Sequence, residues 1–434
     1  MTENTNPAQS VENPYANKRP AYYALVVLTT VYSFNFIDRQ LLAILQESIK
    51  GELNLSDGQL GLLTGFAFAV FYVVAGIPLA RWADHSNRRN IVALALAVWS
   101  GMTALSGLVQ NYGQLLAARV GVGIGEAGGS PPSHSMISDI FSPQRRASAL
   151  GFYSMGVNIG ILFGFLLGGW LNEFFGWRVA FMVVGIPGIL LAIVVRFTLA
   201  EPIRGISDNK QISDESVSFG QVLTVLWASK AFRHLGLGCA LTAFVGYSTS
   251  NWTASFMIRS HGMSTGELGT WLALIIGFGG AVGVFCGGLL ADRLASGDKR
   301  WYAWLPSLSG FIAIPFIVAV YLAENPYTAL TCMIVPAVMS NVYLGISIAT
   351  THSLVGLRMR AMSSAILFFI LNIIGLGMGP WTVGIVSDYL SATHGVESLR
   401  YAMLYILPVV AVWSACHFFM ASRTLREDLA AAPD

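Results

Sequence analysis

The amino-acid sequence predicts an all-α membrane protein whose twelve transmembrane helices form two pseudo-symmetric six-helix bundles. Composition is the first reason: of the 434 residues, 54% are hydrophobic and only 11% are charged, a balance typical of membrane proteins. The second reason is the number of long apolar segments. The third is the distribution of Lys and Arg, which falls mostly on one side of the predicted helices.

Twelve segments are apolar enough to cross a membrane, for which a helix needs about 20 mainly apolar residues. They fall into two groups of six, separated by one polar stretch. We predict the first to twelfth helices at residues 21–45, 58–83, 90–109, 113–137, 147–171, 177–199, 231–258, 266–294, 301–323, 326–353, 361–390 and 400–422.

Polar sequence marks the predicted domain boundaries. Residues 1–20 predict a disordered cytoplasmic tail, and residues 21–199 the N-terminal six-helix bundle. Residues 200–230 predict a cytoplasmic linker, because a stretch rich in Ser, Asp, Asn and Gly cannot bury a core. Residues 231–422 then form the C-terminal bundle, and residues 423–434 a second cytoplasmic tail.

The basic residues predict the orientation, since cytoplasmic loops near helix ends carry an excess of Lys and Arg. With the N-terminus inside, nineteen of the 25 Lys and Arg residues fall on the cytoplasmic side. Four fall on the other side: Lys50, Arg178, Arg259 and Arg400. The remaining two, Arg39 and Arg119, lie within the membrane. We therefore predict a multi-pass protein of the inner membrane with both termini in the cytoplasm.

Several classes of function are disfavoured by the sequence. The 25 basic residues nearly balance 23 acidic ones and form no patch, which argues against a nucleic-acid partner. The four cysteines are far apart without a C-x-x-C pair, and neither a P-loop nor a G-x-S-x-G motif is present, so we predict no metal, no cofactor, no ATP and no enzymatic activity. We expect a monomer surrounded by membrane lipids.

Two loops at corresponding places in the two halves share a pattern. The second helix ends in "GIPLARWADHSNRR" and the eighth in "GGLLADRLASGDKR". Each has an Asp before basic residues, and Asp84 and Asp292 are 208 positions apart (292 minus 84). This offset is about half the chain, as expected for two six-helix units related as parallel repeats.

The first of these loops resembles the signature of the major facilitator superfamily, in which Gly, Leu, Asp and basic residues connect helices two and three. His85 and Asn87 depart from that signature. An acidic group at a helix end can accept from a helix N-terminus and pair with Arg, and the resemblance implies such a latch at the cytoplasmic gate. Alternatively, the arginines beside Asp84 only set topology. The predicted latch residues are Asp84, Arg88, Arg89, Arg145, Arg146 and Asp292.

Four charged residues are predicted inside the membrane. Asp38 and Arg39 lie in the middle of the first helix, and Arg119 and Glu126 lie seven positions apart on the fourth. Seven residues are close to two helical turns, so the latter two side chains share a face. A charge at the bilayer centre costs several kcal/mol unless it faces a cavity or a partner, so these four residues predict a site.

Adjacent helical residues diverge by about 100°, so Asp38 and Arg39 need partners elsewhere. We expect the first and fourth helices to face each other, with Asp38 or Glu126 near Arg119, and Arg39 free to meet an anionic ligand. Burial disfavours a charged carboxylate and arginine favours it, so a ligand that displaces the arginine would drive protonation. The alternative is a fixed ion network that only sets helix register.

Three stretches resemble the Spinster branch of the superfamily, in a bacterial form: "NFIDRQ", "RVGVGIGEAGGSPP" and "ISDIFSPQRRASALGFYSMG". Members of that family move lysophospholipids or sphingosine-1-phosphate. The resemblance implies that Asp38 and Glu126 bind protons, and that Arg39 and Arg119 bind these carboxylates or the substrate phosphate.

The second half has no equivalent charged set. Its predicted contribution to the substrate site is polar and aromatic, which suits an amphipathic anion with an apolar tail. The candidates are Tyr247, Asn251, Trp252, Asn341, Tyr343 and Asn372.

The sequence thus predicts a proton-coupled secondary transporter that moves a lysophospholipid or a sphingosine-1-phosphate-like lipid by alternating access. A transporter of a small organic anion or drug-like amphipath is the main alternative, because the same arginines would serve it. A non-transporting membrane receptor is the alternative from another class.

Overall fold

The computed structural model describes residues 14–206 and 218–433, and these residues are almost entirely helical. We number the membrane crossings from the first to the twelfth helix. In the first half the helices span Lys18–Leu53, Asp57–His85, Arg88–Ser106, Tyr112–Ala127 with Ser130–Ile140, and Pro143–Thr198, which contains two crossings. In the second half they span Lys230–His261, Thr265–Ala295, Trp301–Leu322, Pro326–Ser353, 360–394 and Ser398–Ala430.

Continuous helices and membrane crossings differ in number. By length and composition, eight helical segments of the described chain can cross a membrane. Two of these, Pro143–Thr198 with 56 residues and Arg360–Ala430 with 71, each contain two crossings. The fourth helix, in two pieces, and the polar seventh helix, Lys230–His261, complete the twelve. The predicted all-helical transmembrane fold is confirmed.

Glycines allow the chain to turn or break at three of these places. Gly176, with φ 80°, ends the fifth helix and begins the sixth. Gly395, with φ 54°, separates the eleventh and twelfth. A residue with a Cβ rarely adopts these left-handed angles. The fourth helix stops at Ala127 and restarts at Ser130, just before two prolines, which are tolerated best in a first helical turn.

Both tails and the linker differ from the prediction where they are described. Residues 1–13 of the predicted tail and 207–217 of the linker lie outside the described residues. The first helix begins at Lys18, and the twelfth continues to Ala430, through most of the predicted C-terminal tail. The linker contains a ten-residue helix, Phe219–Ala228, which we call the linker helix.

Close packing of the fifth helix sets the rotation of the first. A Cβ added at Gly156 would lie 2.9 Å from the Thr29 carbonyl oxygen, and one at Gly164 would lie 2.8 Å from the Cβ of Gln40. Small residues four apart permit such an approach. The first helix is thereby held against the fifth, which fixes the direction in which its charged residues point.

The two sides of the membrane differ in which ends of the helices they carry. The terminal face is the side on which the described chain begins, at Pro14, and, after twelve crossings, ends. The opposite face is the other side, where the first helix ends at Leu53 and the second begins at Asp57.

Candidate functional site

The first and fourth helices meet at a buried ion pair. Arg39 donates from Nε to Glu126 Oε2 at 2.8 Å, and its Nη2 lies 2.8 Å from the same oxygen. The Glu126 side chain is fully buried, whereas that of Arg39 is 13% exposed. The arginine is therefore the member of the pair that a ligand in the space between the halves can reach.

Aromatic rings surround the Arg39 guanidinium. Its carbon lies 5.0 Å from the ring centre of Phe36, 4.9 Å from that of Phe68 and 5.2 Å from that of Tyr72. Each distance falls within the range of a cation–π contact, which gains strength when the cation is desolvated. Tyr247, on the seventh helix, also interacts electrostatically with Arg39. The arginine thus lies in a cage of three aromatic rings that all belong to the first half.

Asp38 and Arg119 form a second, looser part of the cluster. Asp38 is 1% exposed and Arg119 is 2% exposed. They interact electrostatically, as Arg119 also does with Glu126, but Arg119 forms no salt bridge with described residues, and neither Asp38 carboxylate oxygen has a hydrogen-bond partner there. Thr103, on the third helix, lies beside the Asp38 carboxyl outside hydrogen-bonding geometry. A buried carboxyl without partners is costly when it is charged.

The structure corrects one predicted pairing. Arg39 was expected to be free and Arg119 to hold a carboxylate, but Arg39 holds Glu126 and Arg119 forms no salt bridge in the described chain. The reason is the rotation of the first helix, which directs Arg39 at the fourth helix. As predicted from their adjacency, Asp38 and Arg39 do not pair with each other.

The predicted second-half residues separate into two groups. Asn251 lies between the halves, where its Oδ1 accepts from Gln46 Nε2 at 2.5 Å. Tyr247 and Asn372 are half-buried. Asn341 donates to the Ala337 carbonyl oxygen at 2.8 Å and lines a small cavity of about 60 Å³ beside the seventh helix.

Trp252 and Tyr343 do not belong with them. Trp252 is fully buried and donates to the Pro380 carbonyl oxygen at 2.8 Å, so it joins the seventh helix to the eleventh. Tyr343 is 8% exposed and packs in the core of the second half against Phe418. In this conformation neighbouring helices cover Trp252, whereas Tyr343 lines a cavity within the second half. Contact of either residue with substrate stays a prediction.

Comparison with known proteins places this geometry in a family. Residues 28–380 match the family model of the Major Facilitator Superfamily. This chain belongs to the Major Facilitator Superfamily. It is 32% identical to an MFS-type efflux pump of Mycolicibacterium smegmatis, over 98% of each chain. It is 25% identical to protein spinster homolog 3 of Danio rerio, over 96% of this chain and 88% of the relative.

A solved structure is similar over nearly its whole length. It is the crystal structure of a bacterial homologue of the human lysosomal transporter Spinster in an inward-facing and unoccupied conformation. The TM-score is 0.88 with 34% identity, covering 95% of this chain and 99% of that one. The protein is thus a multi-pass secondary transporter of the superfamily and not an enzyme.

At the terminal face, the superfamily loop between the second and third helices binds its own half of the transporter. Arg88 is 1% exposed and donates to Glu201 at 2.8 Å and to Asp139 at 2.5 Å. Arg89 donates its backbone N–H to Glu201 at 2.9 Å and its side chain to the Leu199 carbonyl oxygen at 3.1 Å. The arginines therefore hold the loop to the ends of the fourth and sixth helices.

The predicted latch is not formed in this conformation. Asp84 and Asp292 are exposed, and neither makes a hydrogen bond or ion pair with any residue that the structure describes. Arg145 is also exposed, and Arg146 is half-buried. A closed latch at Asp84 remains a prediction for another conformation of the transporter.

At the opposite face, an ion cluster that sequence reasoning missed joins the two halves. Arg259, on the seventh helix, binds Glu47 with contacts of 2.9 and 2.6 Å, and Asp57 with two contacts of 2.7 Å. Asp57 also accepts from Ser387 at 2.6 Å and from Lys50 at 2.5 Å. Bidentate pairs of this kind are the strongest of the charge-assisted hydrogen bonds.

Two helix starts at this face are capped by carboxylates from the other half. Asp388, on the eleventh helix, accepts from the backbone N–H of Asp57 at 2.9 Å and of Gly58 at 2.7 Å. Glu173, at the end of the fifth helix, accepts from the N–H of Gly266 at 2.7 Å. These N–H groups have no partner within their own helix, so each carboxylate satisfies donors across the interface.

The capped segments share a sequence pattern that predicts their equivalence. "SDGQLG" at 56–61 and "STGELG" at 264–269 are 208 positions apart (264 minus 56), the offset already seen for the two loops. A Cβ at Gly61 would lie 2.5 Å from the Pro380 carbonyl oxygen, and one at Gly269 would lie 2.5 Å from that of Phe165. Both glycines thus allow contact with the backbone of the other half.

Proposed function

We propose that this protein is a proton-coupled transporter of the Spinster branch, which moves a lysophospholipid or sphingosine-1-phosphate-like lipid by alternating access. The observation that carries the proposal is the ion pair between Arg39 and Glu126. Its arginine is accessible and caged by aromatic rings, whereas its carboxylate is fully buried. The arginine of such a pair can release the carboxylate of the protein and bind the anionic group of a substrate instead.

The exchange couples substrate to protons. A phosphate that binds Arg39 removes the counter-charge of Glu126, which then takes a proton from the compartment to which the site is open, since an unpaired buried carboxylate is strongly disfavoured. When the substrate leaves, Arg39 returns to Glu126 and the proton is released. Asp38, buried without a hydrogen-bond partner, is the second proton-binding residue, and Arg119 is the nearby cation.

A lipid substrate is supported by the chemistry around the pair. The first half offers guanidinium groups for a phosphate, and the second half offers Tyr247, Asn251, Asn372 and the cavity beside Asn341. Sites for amphipaths combine an apolar wall with a few polar groups in this way. The similar crystal structure, of a bacterial Spinster homologue, supports the same branch.

The proposed orientation puts the terminal face in the cytoplasm, in the inner membrane of a bacterium. The bias of Lys and Arg towards that face supports it. Of the four basic residues on the opposite face, all are engaged by carboxylates: Lys50, Arg178, Arg259 and Arg400. In this orientation the conformation is closed towards the outside, and the latch residues at Asp84 would close the cytoplasmic gate in the outward-open state.

The proposal is tested in proteoliposomes with a pH-sensitive dye trapped inside. Lysophosphatidic acid is added to the wild-type protein and to Glu126→Gln, which keeps the shape of the side chain but cannot exchange a proton. We expect a lipid-dependent pH change with the wild type and none with the variant. The matched control is Glu52→Gln, which breaks a carboxylate–arginine pair with Arg178 outside the site and should behave as the wild type.

Three outcomes distinguish the components of the proposal. A pH change that persists in Glu126→Gln would remove Glu126 from the coupling mechanism. Binding of lysophosphatidic acid without any flux would indicate a receptor. Glycerol 3-phosphate, which has the headgroup without the acyl chain, should give no response; an equal response would favour the alternative, a transporter of small organic anions, which the similarity to an efflux pump also permits.

A further inference from the structure

The linker helix begins with a well-formed cap on the terminal face. Ser218 Oγ accepts from Gln221 N at 3.3 Å, and Gln221 Oε1 accepts from Ser218 N at 3.0 Å. This reciprocal capping box is a strong start signal for a helix. The linker helix ends at Ala228, and the seventh helix begins two residues later, at Lys230. The linker helix therefore lies directly at the membrane end of the seventh helix.

Three different faces run along the linker helix. Val222 and Leu226 are fully buried in the core of the second half. Beside them runs an apolar stripe of Phe219, Leu223 and Trp227, which are 55%, 41% and 67% exposed. These three positions are four residues apart, so they form one line along the helix.

The remaining face is small and polar, with Gln221 and Thr224 exposed. A helical wheel with about 100° per residue puts the stripe between the buried face and the polar face. A helix that lies in the membrane interface needs this order, because it meets protein on one side, acyl chains on the next and water on the third. Tryptophan is also enriched in the interfacial region of membrane proteins.

Basic side chains surround the stripe. Lys230 and Arg233 follow it on the first turn of the seventh helix, and both are exposed. The eleventh helix, which packs against the linker helix, begins with the exposed Arg360. Nearby, Asp428 is occupied by Ser229 Oγ at 2.7 Å and by the N–H of Ala231 at 2.6 Å. The free charges around the stripe are therefore mainly positive.

We propose that the linker helix is a membrane-interface anchor: its stripe inserts between the acyl chains of the leaflet at the terminal face, and Lys230 and Arg233 bind anionic lipid headgroups. Apolar insertion and attraction to anionic lipid reinforce each other in such helices. Asp428 ties the joint at Ser229 to the twelfth helix, so the anchor holds the second half of the transporter at the leaflet surface.

Site-directed spin labelling tests the insertion. The native cysteines, Cys239, Cys286, Cys332 and Cys416, are replaced, and one label is placed at Leu223 in the stripe or at Gln221 on the polar face. The protein is reconstituted in vesicles of equal amounts of phosphatidylcholine and phosphatidylglycerol. We expect oxygen to reach Leu223 better than a water-soluble nickel complex does, and the reverse at Gln221.

Each position serves as the control for the other, because both side chains are exposed and lie on the same helix. Equal nickel access at both positions would overturn the proposal. So would a label at Leu223 that neither reagent reaches, since a protein surface would then cover the stripe. Monodisperse behaviour in gel filtration and a stripe label that changes with lipid but not with protein concentration exclude misfolding and self-association.

Charge is tested with the same Leu223 label. Replacing phosphatidylglycerol by phosphatidylcholine should lower the oxygen-to-nickel ratio, and Lys230→Gln with Arg233→Gln should lower it in the mixed vesicles. Near an anionic surface each cation is expected to contribute about fivefold in membrane affinity. The control is Arg293→Gln with Lys299→Gln, two exposed cations in the last turn of the eighth helix and in the loop that follows it. A ratio that depends on neither lipid charge nor these residues would refute the anionic-lipid part.

Discussion

The two membrane faces of this transporter are connected in opposite ways. At the opposite face, Arg259, Asp388 and Glu173 form ion pairs or caps with residues of the other half. At the terminal face, the strong contacts of Arg88 and of Asp428 stay within one half. The hydrogen bonds and ion pairs described between the halves therefore lie from the bilayer centre to the opposite face.

This difference indicates how the conformation is held. A transporter that alternates must keep one face closed by contacts that it can exchange for contacts at the other face. Here the closed face uses charged groups that are buried only while the halves touch. The terminal face keeps exposed charges, including Asp84 and Asp292, which have partners to gain when the halves meet there. Breaking the contacts at the opposite face should therefore shift the balance towards a state that is open at that face.

The largest shift is expected for Arg259→Gln. Removing this arginine leaves Glu47 and the buried Asp57 without their main counter-charge, and breaking a buried pair costs about 3–5 kcal/mol. Spin labels at Gly51, where a side chain meets no neighbour within 4 Å, and at the exposed Glu324 report the separation of the halves. We expect the longer-distance population to become dominant.

Arg178→Gln is the matched control for this experiment. Arg178 lies at the same face and binds Glu52 at 2.8 Å, but both residues belong to the first half. The Arg178→Gln variant should therefore leave the distance distribution between the two labels unchanged. An equal opening in both variants would mean that loss of positive charge at this face, and not the bridge between the halves, controls the conformation.

A smaller shift is expected from the caps. Asp388→Asn and Glu173→Gln keep an acceptor oxygen but remove the charge that faces the helix start, and hydrogen bonds to charged groups contribute about 1.5–3 kcal/mol each. Each variant should increase the population that is open at the opposite face, measured with the same labels, by less than Arg259→Gln does. Because the two caps occupy repeat-equivalent places, the double variant should open more than either single variant.

The two cap variants can also contradict the interpretation that the caps are equivalent in function. If Asp388→Asn opens the protein and Glu173→Gln does not, the pattern shared by "SDGQLG" and "STGELG" is not matched by shared function. Gln59→Ala serves as the control, because the Gln59 side chain completes the capping box of Ser56 within the same helix start and forms no hydrogen bond with the described residues of the second half.

The sequence allowed the fold and the charged cluster to be predicted, because hydrophobic length and buried charge are local properties. It did not allow the pairing of Arg39 with Glu126 to be predicted. Which carboxylate Arg39 meets depends on the rotation of the first helix, and contacts with Gly156 and Gly164 of the fifth helix set that rotation. The burial of Trp252 could not be predicted for the same reason, since it depends on the eleventh helix.

The contacts between the halves at the opposite face were not predicted, although the sequence contains a local pattern at two of the segments that form them. The repeat of S-x-G-x-L-G at an offset of 208 positions was available, as was the capping box that begins the linker helix at Ser218. The partners of these segments were not, because Asp388 and Glu173 follow different local sequences. Contacts between distant helices require the three-dimensional arrangement of both halves.

The smallest effect on the conformational balance is expected at the terminal face, for Arg88→Ala. This arginine is buried with Asp139 and Glu201 in the first half, so its loss should lower the thermal unfolding temperature of the detergent-solubilised protein, because two carboxylates lose their arginine at a cost of about 3–5 kcal/mol. The label distance between Gly51 and Glu324 should not change, because no contact between the halves is broken. A longer distance in Arg88→Ala would show that the loop at Asp84 is coupled to the far face through the first half, and the two faces would then not be separate units.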